Sequence, residues 1–571
     1  MSIATMDKTS YITMITLLVL AVGFAGCGTD SNPLPDPMEA RIDALFQEWD
    51  KPDSPGAAVA VLRGGEVVFR KGYGIAQLEY GIPITPDTVF HVASVSKQFT
   101  AFAVTLLAQQ GRLALDDDIR VHLPEVPDFG RIITIRHLIH HISGLRDQWE
   151  ALAMAGWRLD DVITREHILG MVRNQKELNF DPGERYLYCN TGYTLLGEIV
   201  ARVTGQALSA WAAENIFVPL GMSRTHFHDS HELIVPGRAY SYGPTENGGF
   251  RKSVLSYANV GATSLFTTAE DLLRWARNFM DPKVGGPEVI EQMQEPGVLS
   301  SGRKIPYAFG LGVRNHRGVR MISHGGSDAG FRTWLGIFPD QDLAVTVLSN
   351  LGSVSPNRLG ILIAEVYLEP DMRPAPQKKT PAAPARKREV AEVDPMVYEV
   401  YAGRYILDDG TVLEIVKEGD RLFAVHSAQG RSELFPETIA RYFLKDADVV
   451  MTFHPDKDNY VEGLTVVSGG RPMQGKRSQP TPLTEARMKA LTGNYFSGEL
   501  ETVYTIEIRD GKLAARHFRH GEIPLIWTEG DTFTGRRWFF RKLEFQRDRS
   551  GRINGFLLTG GRVWNLRFDK R

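Results

Sequence analysis

Phe90-His91-Val92-Ala93-Ser94-Val95-Ser96-Lys97-Gln98-Phe99 is the stretch on which the fold turns. Through and beyond it, Val95, Phe99, Phe102 and Leu106 recur at intervals of four, three and four, the spacing of one buried stripe on an amphipathic α-helix. Gly111 supplies a C-terminal stop. With the helix starting at Ser94, Ser94 and Lys97 share a face of its first turn. A serine hydroxyl becomes a useful nucleophile when a neutral amine takes its proton. Free lysine titrates near ~10.4, so burial or a neighbouring cation must first bring it down. The start of a helix adds free N–H groups that can hold an oxyanion. Alone, Ser-x-x-Lys is a weak signal and reads better as a capping serine before a solvated lysine. The rest of the chain decides between the two.

Upstream, residues 38–49 predict a helix with Ile42, Leu45 and Phe46 on one side, and 57–62 with 67–73 predict a hairpin turning at Arg63-Gly64-Gly65. Downstream, His140 and His141 lie in a histidine-rich run over 135–145 without acidic or cysteine ligands, which predicts a short helix near the site rather than a metal centre. His226, His228 and His231 predict a polar surface loop. Tyr186-Leu187-Tyr188-Cys189-Asn190 precedes a helix from about Thr191, with Leu195, Leu196, Ile199, Val200 and Val203 as its stripe and Gly205 as its end. Thr267-Thr268-Ala269-Glu270 reads as a capping box. Strands are expected over 310–313, 319–323, 331–338 and 343–348, and a closing helix over 355–368. Strands at both ends with helices between make an α/β domain with a helical insert.

The chain has 571 residues, 43% hydrophobic and 23% charged, a globular composition with length for about three domains. A net charge of −3 gives no reason to expect nucleic acid as a partner. Two cysteines, Cys27 and Cys189, exclude a disulfide framework. Cys189, between Tyr188 and Asn190 on an extended segment, points away from both. Lys8, an apolar run from Tyr11 to Phe24 and small residues Ala25-Gly26 predict a signal peptide over 1–26, followed by a tether over 27–37. Residues 371–395, rich in proline, alanine and basic residues, read as a linker. Beyond them the pattern repeats. Tyr401-Ala402-Gly403-Arg404-Tyr405 matches Leu491-Thr492-Gly493-Asn494-Tyr495 at an offset of 90, and Gly469-Gly470-Arg471 matches Gly560-Gly561-Arg562 at 91. Two small antiparallel barrels are expected, over 396–480 and 481–571.

Three spaced signals converge in residues 38–370: Ser94-x-x-Lys97, Tyr188-x-Asn190, and His324-x-Gly326 before Ser327. In this order they resemble the serine β-lactamase and penicillin-binding-protein superfamily, in its class C-like, esterase and D-aminopeptidase branch. The resemblance implies Ser94 as nucleophile, Lys97 as its activator, Tyr188 as proton shuttle to the leaving group and Asn190 as the group that orients Lys97 and the substrate amide. It implies His324 on a strand edge setting the local field, Gly326 admitting substrate to the backbone, and an oxyanion hole from the N–H groups of Ser94 and Ser327. Tyr188 can act as a base only if cations such as Lys97 and His324 lower its pKa from about 10. One departure weighs against a β-lactamase: lysine is usual where His324 stands, and histidine occurs in esterase and aminopeptidase relatives. Phe24-Ala25-Gly26-Cys27 resembles the lipobox of bacterial lipoproteins, with phenylalanine where leucine is more usual. It implies cleavage before Cys27, lipidation there, and anchoring to a bacterial membrane on the periplasmic side or cell surface.

D-aminopeptidases of this superfamily carry two lipocalin-like barrels after the catalytic domain, so the tail shares their architecture. That implies a barrel loop at the active-site mouth; a spacer or docking module is the other reading. The leading expectation is a serine hydrolase without metal or cofactor, acting through an acyl-enzyme on small peptides, amides or esters, including D-amino-acid ones. A β-lactamase or D-Ala-D-Ala carboxypeptidase stays open beside it, as does a non-catalytic cell-surface binding protein, and oligomeric state is left open. A chain cut near Pro370 is expected to fold, being more than 300 residues long.

Overall fold

The computed structural model describes residues 37–373, 388, 390–426, 430–456, 460–478 and 483–571. The expected signal peptide, Cys27, most of the linker and residues 479–482 between the two barrels lie outside the described residues.

Six strands form one antiparallel sheet: β1 (Ala57–Arg63), β2 (Glu66–Tyr73), β3 (Gly312–His316), β4 (Val319–Asp328), β5 (Phe331–Phe338) and β6 (Leu343–Ser349), ordered β3-β4-β5-β6-β1-β2. The first hairpin therefore docks onto the last strands, with β1 pairing β6 from Ala57↔Ser349 to Arg63↔Leu343. Alternation along β1 divides its side chains between two cores. Val59 and Val61 face the terminal helices α1 (Pro37–Phe46) and α4 (Pro356–Leu368), while Ala58, Ala60 and Leu62 face the helical insert. Within the insert, α2 (Ser96–Gln109) packs on α3 (Asn190–Thr204).

The stripe Val95, Phe99, Phe102 and Leu106 is buried, but α2 is not amphipathic: every residue from Ser96 to Leu107 is buried, Lys97 and Gln98 included. Its axis runs through the domain centre, so no face meets water. It also starts two residues later than expected, because Ala93–Val95 forms a 3₁₀ turn. The cap of the Ala269–Arg277 helix shifts by one residue: Thr268, not Thr267, accepts the Asp271 N–H, at 3.2 Å. His226 and His228 are not on a polar surface loop. His226 opens the short strand His226–Phe227 and stacks on Phe266 at 5.7 Å, and His228 is buried against the same ring.

Two closed eight-stranded barrels follow, the first from Gly403 to Ser478 and the second from Gly493 to Lys570. They attach differently. The first has a core of its own. The core of the second is continuous with the catalytic domain's helical core. Among the described residues no helix is long and apolar enough to cross a membrane.

Candidate active site

The site forms where the Ser94 turn meets β4. Strand β3 pairs with β4 only as far as Gly312↔Ser323. From His324 to Asp328, β4 is paired with β5 alone, which leaves its other edge open along the cleft. Gly326 makes the approach possible. A Cβ there would lie 2.2 Å from the Val92 carbonyl oxygen and 3.1 Å from Ala93 Cβ. The glycine is thus required by the Ser94 turn, besides lining the cleft where substrate was expected to approach. The turn is strained at Ala93, whose φ is 48°. Ser96 braces it, donating to Ala93 O at 2.5 Å and accepting from Leu265 N at 3.0 Å.

Ser94 is the one partly exposed residue in an otherwise buried run. Lys97 Nζ lies 3.1 Å from Ser94 Oγ, 2.9 Å from Asn190 Oδ1 and 2.6 Å from Ala262 O. Burial without a direct carboxylate partner pulls the Lys97 pKa down to about 7. As a neutral amine, Lys97 gives its two hydrogens to Asn190 and Ala262, and its lone pair is left for the Ser94 hydroxyl proton. Asn190 is held in the matching orientation. Its N–H and its Nδ2 both donate to Asp147 Oδ2 at 2.7 Å, so its carbonyl must face Lys97. Asp147 is itself buried and caps the helix Gln148–Met154 through Trp149 N.

Tyr188 stands on the cleft wall over Lys97. Burial raises its pKa well above the usual phenol value, although Ser94 and Arg562 oppose the rise. Its hydroxyl lacks an aligned hydrogen-bond partner among the described residues. Its ring packs on His141 at 4.1 Å and faces Lys97 Nζ at 5.0 Å. Tyr188 keeps its proton, which makes it a donor rather than a base. The cations invoked to lower it fail as well, because His324 is neutral: burial and Lys97 bring its pKa down to about 4. His324 Nδ1–H donates to Gly325 O at 2.6 Å, so Nε2 accepts from the Tyr307 hydroxyl at 3.0 Å. Cys189 points to the Leu145 and Arg146 carbonyls, away from the cleft. His140 and His141 are buried just after the short helix Ile135–Ile139, and His141 Nδ1 accepts from Cys189 N at 3.1 Å.

Ser94, Tyr188, Asn190, His324, Gly326 and Ser327 line one cavity of about 720 Å³, which Asp328, Trp149 and Tyr257 also face. The second barrel closes part of its mouth. Backbone N–H groups of Gly561, Arg562 and Val563 converge on the Glu150 carboxylate, at 2.7 and 2.8 Å for the first and last. This brings the Arg562 guanidinium 5.0 Å from the Tyr188 ring and 3.8 Å from Asp147 Oδ2. Asp147, the Ala262 carbonyl, Asp328 and Arg562 are site groups that sequence reading missed. Asp147 carries only a helix-cap signal, and Arg562 lies in a repeated Gly-Gly-Arg turn that marks a barrel and not a site.

Comparison with known proteins points the same way. A family model described as Beta-lactamase matches residues 42–368. Penicillin-binding protein 4* of Bacillus subtilis is 28% identical over 435 residues, which is 73% of this chain and 94% of that protein. A D-aminopeptidase of Gluconobacter oxydans is 31% identical over 316 residues, 55% of this chain and 58% of its own length. In fold, the chain is similar to an octameric penicillin-binding protein homologue from Pyrococcus abyssi, with a TM-score of 0.54 at 23% identity, covering 85% of this chain and 98% of that one.

Proposed function

Because the chain belongs to the Beta-lactamase family, we propose that it hydrolyses the amide bonds of short D-amino-acid peptides and amides through an acyl-enzyme on Ser94. That it is an enzyme, a serine hydrolase of this family, sets aside the binding-only reading. The observation that carries the mechanism is the buried Lys97, with hydrogens committed to Asn190 and Ala262 and a lone pair for Ser94.

Lys97 takes the Ser94 proton as Oγ attacks the substrate carbonyl. The N–H groups of Ser94 and Ser327 receive the oxyanion. Tyr188 gives its proton to the leaving amine and recovers one from Lys97. Water then enters, and the same groups run in reverse to free the acid. The D-amino-acid preference rests on the D-aminopeptidase relative and on the barrel loop at the mouth. The test is steady-state hydrolysis of D- and L-alanyl amides, with fluorophosphonate labelling at Ser94. Equal rates on both enantiomers would overturn the stereochemical part.

A carboxypeptidase reading draws on the Bacillus relative, which aligns over 94% of its length. Rates on a peptide ending in D-Ala-D-Ala, on a D-alanyl amide and on a cephalosporin separate the three activities. The N-terminal pattern supports export and lipid anchoring at Cys27 on a bacterial membrane. Cys27→Ser should then release the protein from the membrane fraction, and unchanged fractionation would remove that reading.

A further inference from the structure

The cleft does not end at the Ser94 cavity. A second cavity of about 640 Å³ shares His324, Gly325 and Asn357 with it and continues past the β3 end of the open edge. Arg303, Lys304 and Arg314 line this second cavity, and no carboxylate does. All three are exposed, and none is in an ion pair among the described residues.

At the opposite end of the open edge stands Asp328, two residues beyond Gly326 and so on the same side of the strand. Its Oδ2 accepts from Thr263 Oγ1 at 2.9 Å, and among the described residues it has no cation within ion-pair reach. Burial holds its pKa up at about 6, so an arriving cation would favour its ionised form. Trp149 and Tyr257, stacked at 4.5 Å, flank it in the same cavity and offer aromatic faces of the kind that hold ammonium groups. The cations whose charge reaches Asp328 are Lys97, which is committed to Asn190 and Ala262, and Arg332, whose guanidinium donates to the Ala329 and Phe331 carbonyls. Arg562 is engaged with Asp147 and the Tyr188 ring.

The direction of the substrate follows from Tyr188. As the proton donor it must face the leaving group, and its ring neighbours Tyr307 and His324 line the cationic cavity. The leaving part thus extends toward the cations, and the acyl part toward Asp328. We propose that the cleft is dipolar along β4 and takes short zwitterionic peptides, holding the free α-ammonium at Asp328 and the free carboxylate among Arg303, Lys304 and Arg314. The open edge spans about 13 Å, the length of an extended peptide of about four residues. This rests on the peptidase reading and adds recognition of both termini to it.

The experiment compares a D-alanyl tripeptide with both termini free against its N-acetylated and its C-amidated analogues. Each block should lower kcat/KM by about tenfold to a hundredfold, the range for losing a hydrogen bond to a charged group. Asp328→Asn should collapse the N-terminal preference and leave the C-terminal one, whatever it does to the absolute rate through its charge on Lys97. The triple change Arg303→Ala, Lys304→Ala, Arg314→Ala should collapse only the C-terminal one. Equal rates on free and blocked peptides with wild-type enzyme would overturn the proposal without any variant. If no peptide is cleaved, inhibition of short-ester hydrolysis by the same three peptides reads the preference. The peptidase reading would then fail while a stronger inhibition by the free tripeptide still supported the dipolar cleft, and equal inhibition by all three would overturn it.

Discussion

In the proposed mechanism Lys97 serves as the base because burial disfavours its ammonium form by more than the Asp147 and Asp328 charges favour it. Its pKa falls from the usual lysine value to about 7. Below that pH the ammonium cannot take the Ser94 proton; above it the amine can. kcat/KM on a neutral ester should therefore rise with pH through about 7 and stay high well into the alkaline range, since Tyr188 is shifted upward. A single limb near 10 would show that Lys97 is not the buried base. Asp147 allows a second test. Its charge raises the Lys97 pKa, and its two contacts fix the Asn190 amide. Asp147→Asn should cut kcat by about tenfold to a hundredfold and also move the acid limb to lower pH. A purely structural role would lower activity without moving the limb. Ser94→Ala should remove fluorophosphonate labelling and lower kcat by roughly four orders of magnitude or more, with an unchanged melting temperature by calorimetry.

Between elements, the meeting of β4 with the Ser94 turn sets the geometry, and Gly326 is its tightest point. With a carbonyl oxygen 2.2 Å from the would-be Cβ, backbone must move to admit a methyl group. Gly326→Ala should cost at least about 1–3 kcal/mol by chemical denaturation, as overpacking does. It should also slow acylation, because β4 and Ser94 separate. Strand and helix order were legible in the sequence since short apolar runs and 3.6-residue spacing reflect burial directly, as the almost wholly buried β5 and the buried stripe of α4 show. The three motifs carried Ser94, Tyr188 and Asn190 to one cavity, with Lys97 behind them, for the same reason: each sits at the boundary of a strongly patterned element. What was not legible depends on the solvent a residue meets. Lys97 and Gln98 look like a polar face, and only tertiary packing buries them. The neutrality of His324 and the raised pKa of Tyr188 arise from desolvation, which sequence spacing does not encode.

In the whole molecule, the two barrels repeat in sequence but differ in attachment, and this reverses an expectation about independence. A chain ending near Pro370 is long enough to bury a core, yet its helical insert is built around groups from the second barrel. Arg146 is 3% exposed and pairs at 2.8 Å with Glu499, itself 7% exposed. Glu150 takes backbone N–H groups from Gly561 to Val563, and Tyr504 Oη donates to Met154 O at 3.0 Å. His517 fills the space beside Gly156, where a Cβ would lie 2.2 Å from its ring. Truncation would remove these partners and open to water the apolar core that the insert shares with the second barrel, at roughly 25 cal/mol for each Å² exposed, against an ordinary domain stability of about 5–15 kcal/mol. A chain ended at residue 373 should therefore be insoluble or melt far below the full protein, which calorimetry or limited proteolysis reads. Glu499→Gln, which keeps the shape and removes the charge, should lower stability in the same direction by a smaller amount. The first barrel, with a separate core, touches the second through Arg404 on Trp527. Excising residues 388–478 and joining the linker to residue 483 should keep Ser94 labelling and the melting transition of the remainder. A truncated catalytic domain that is as stable as the full chain would show instead that both barrels are appendages.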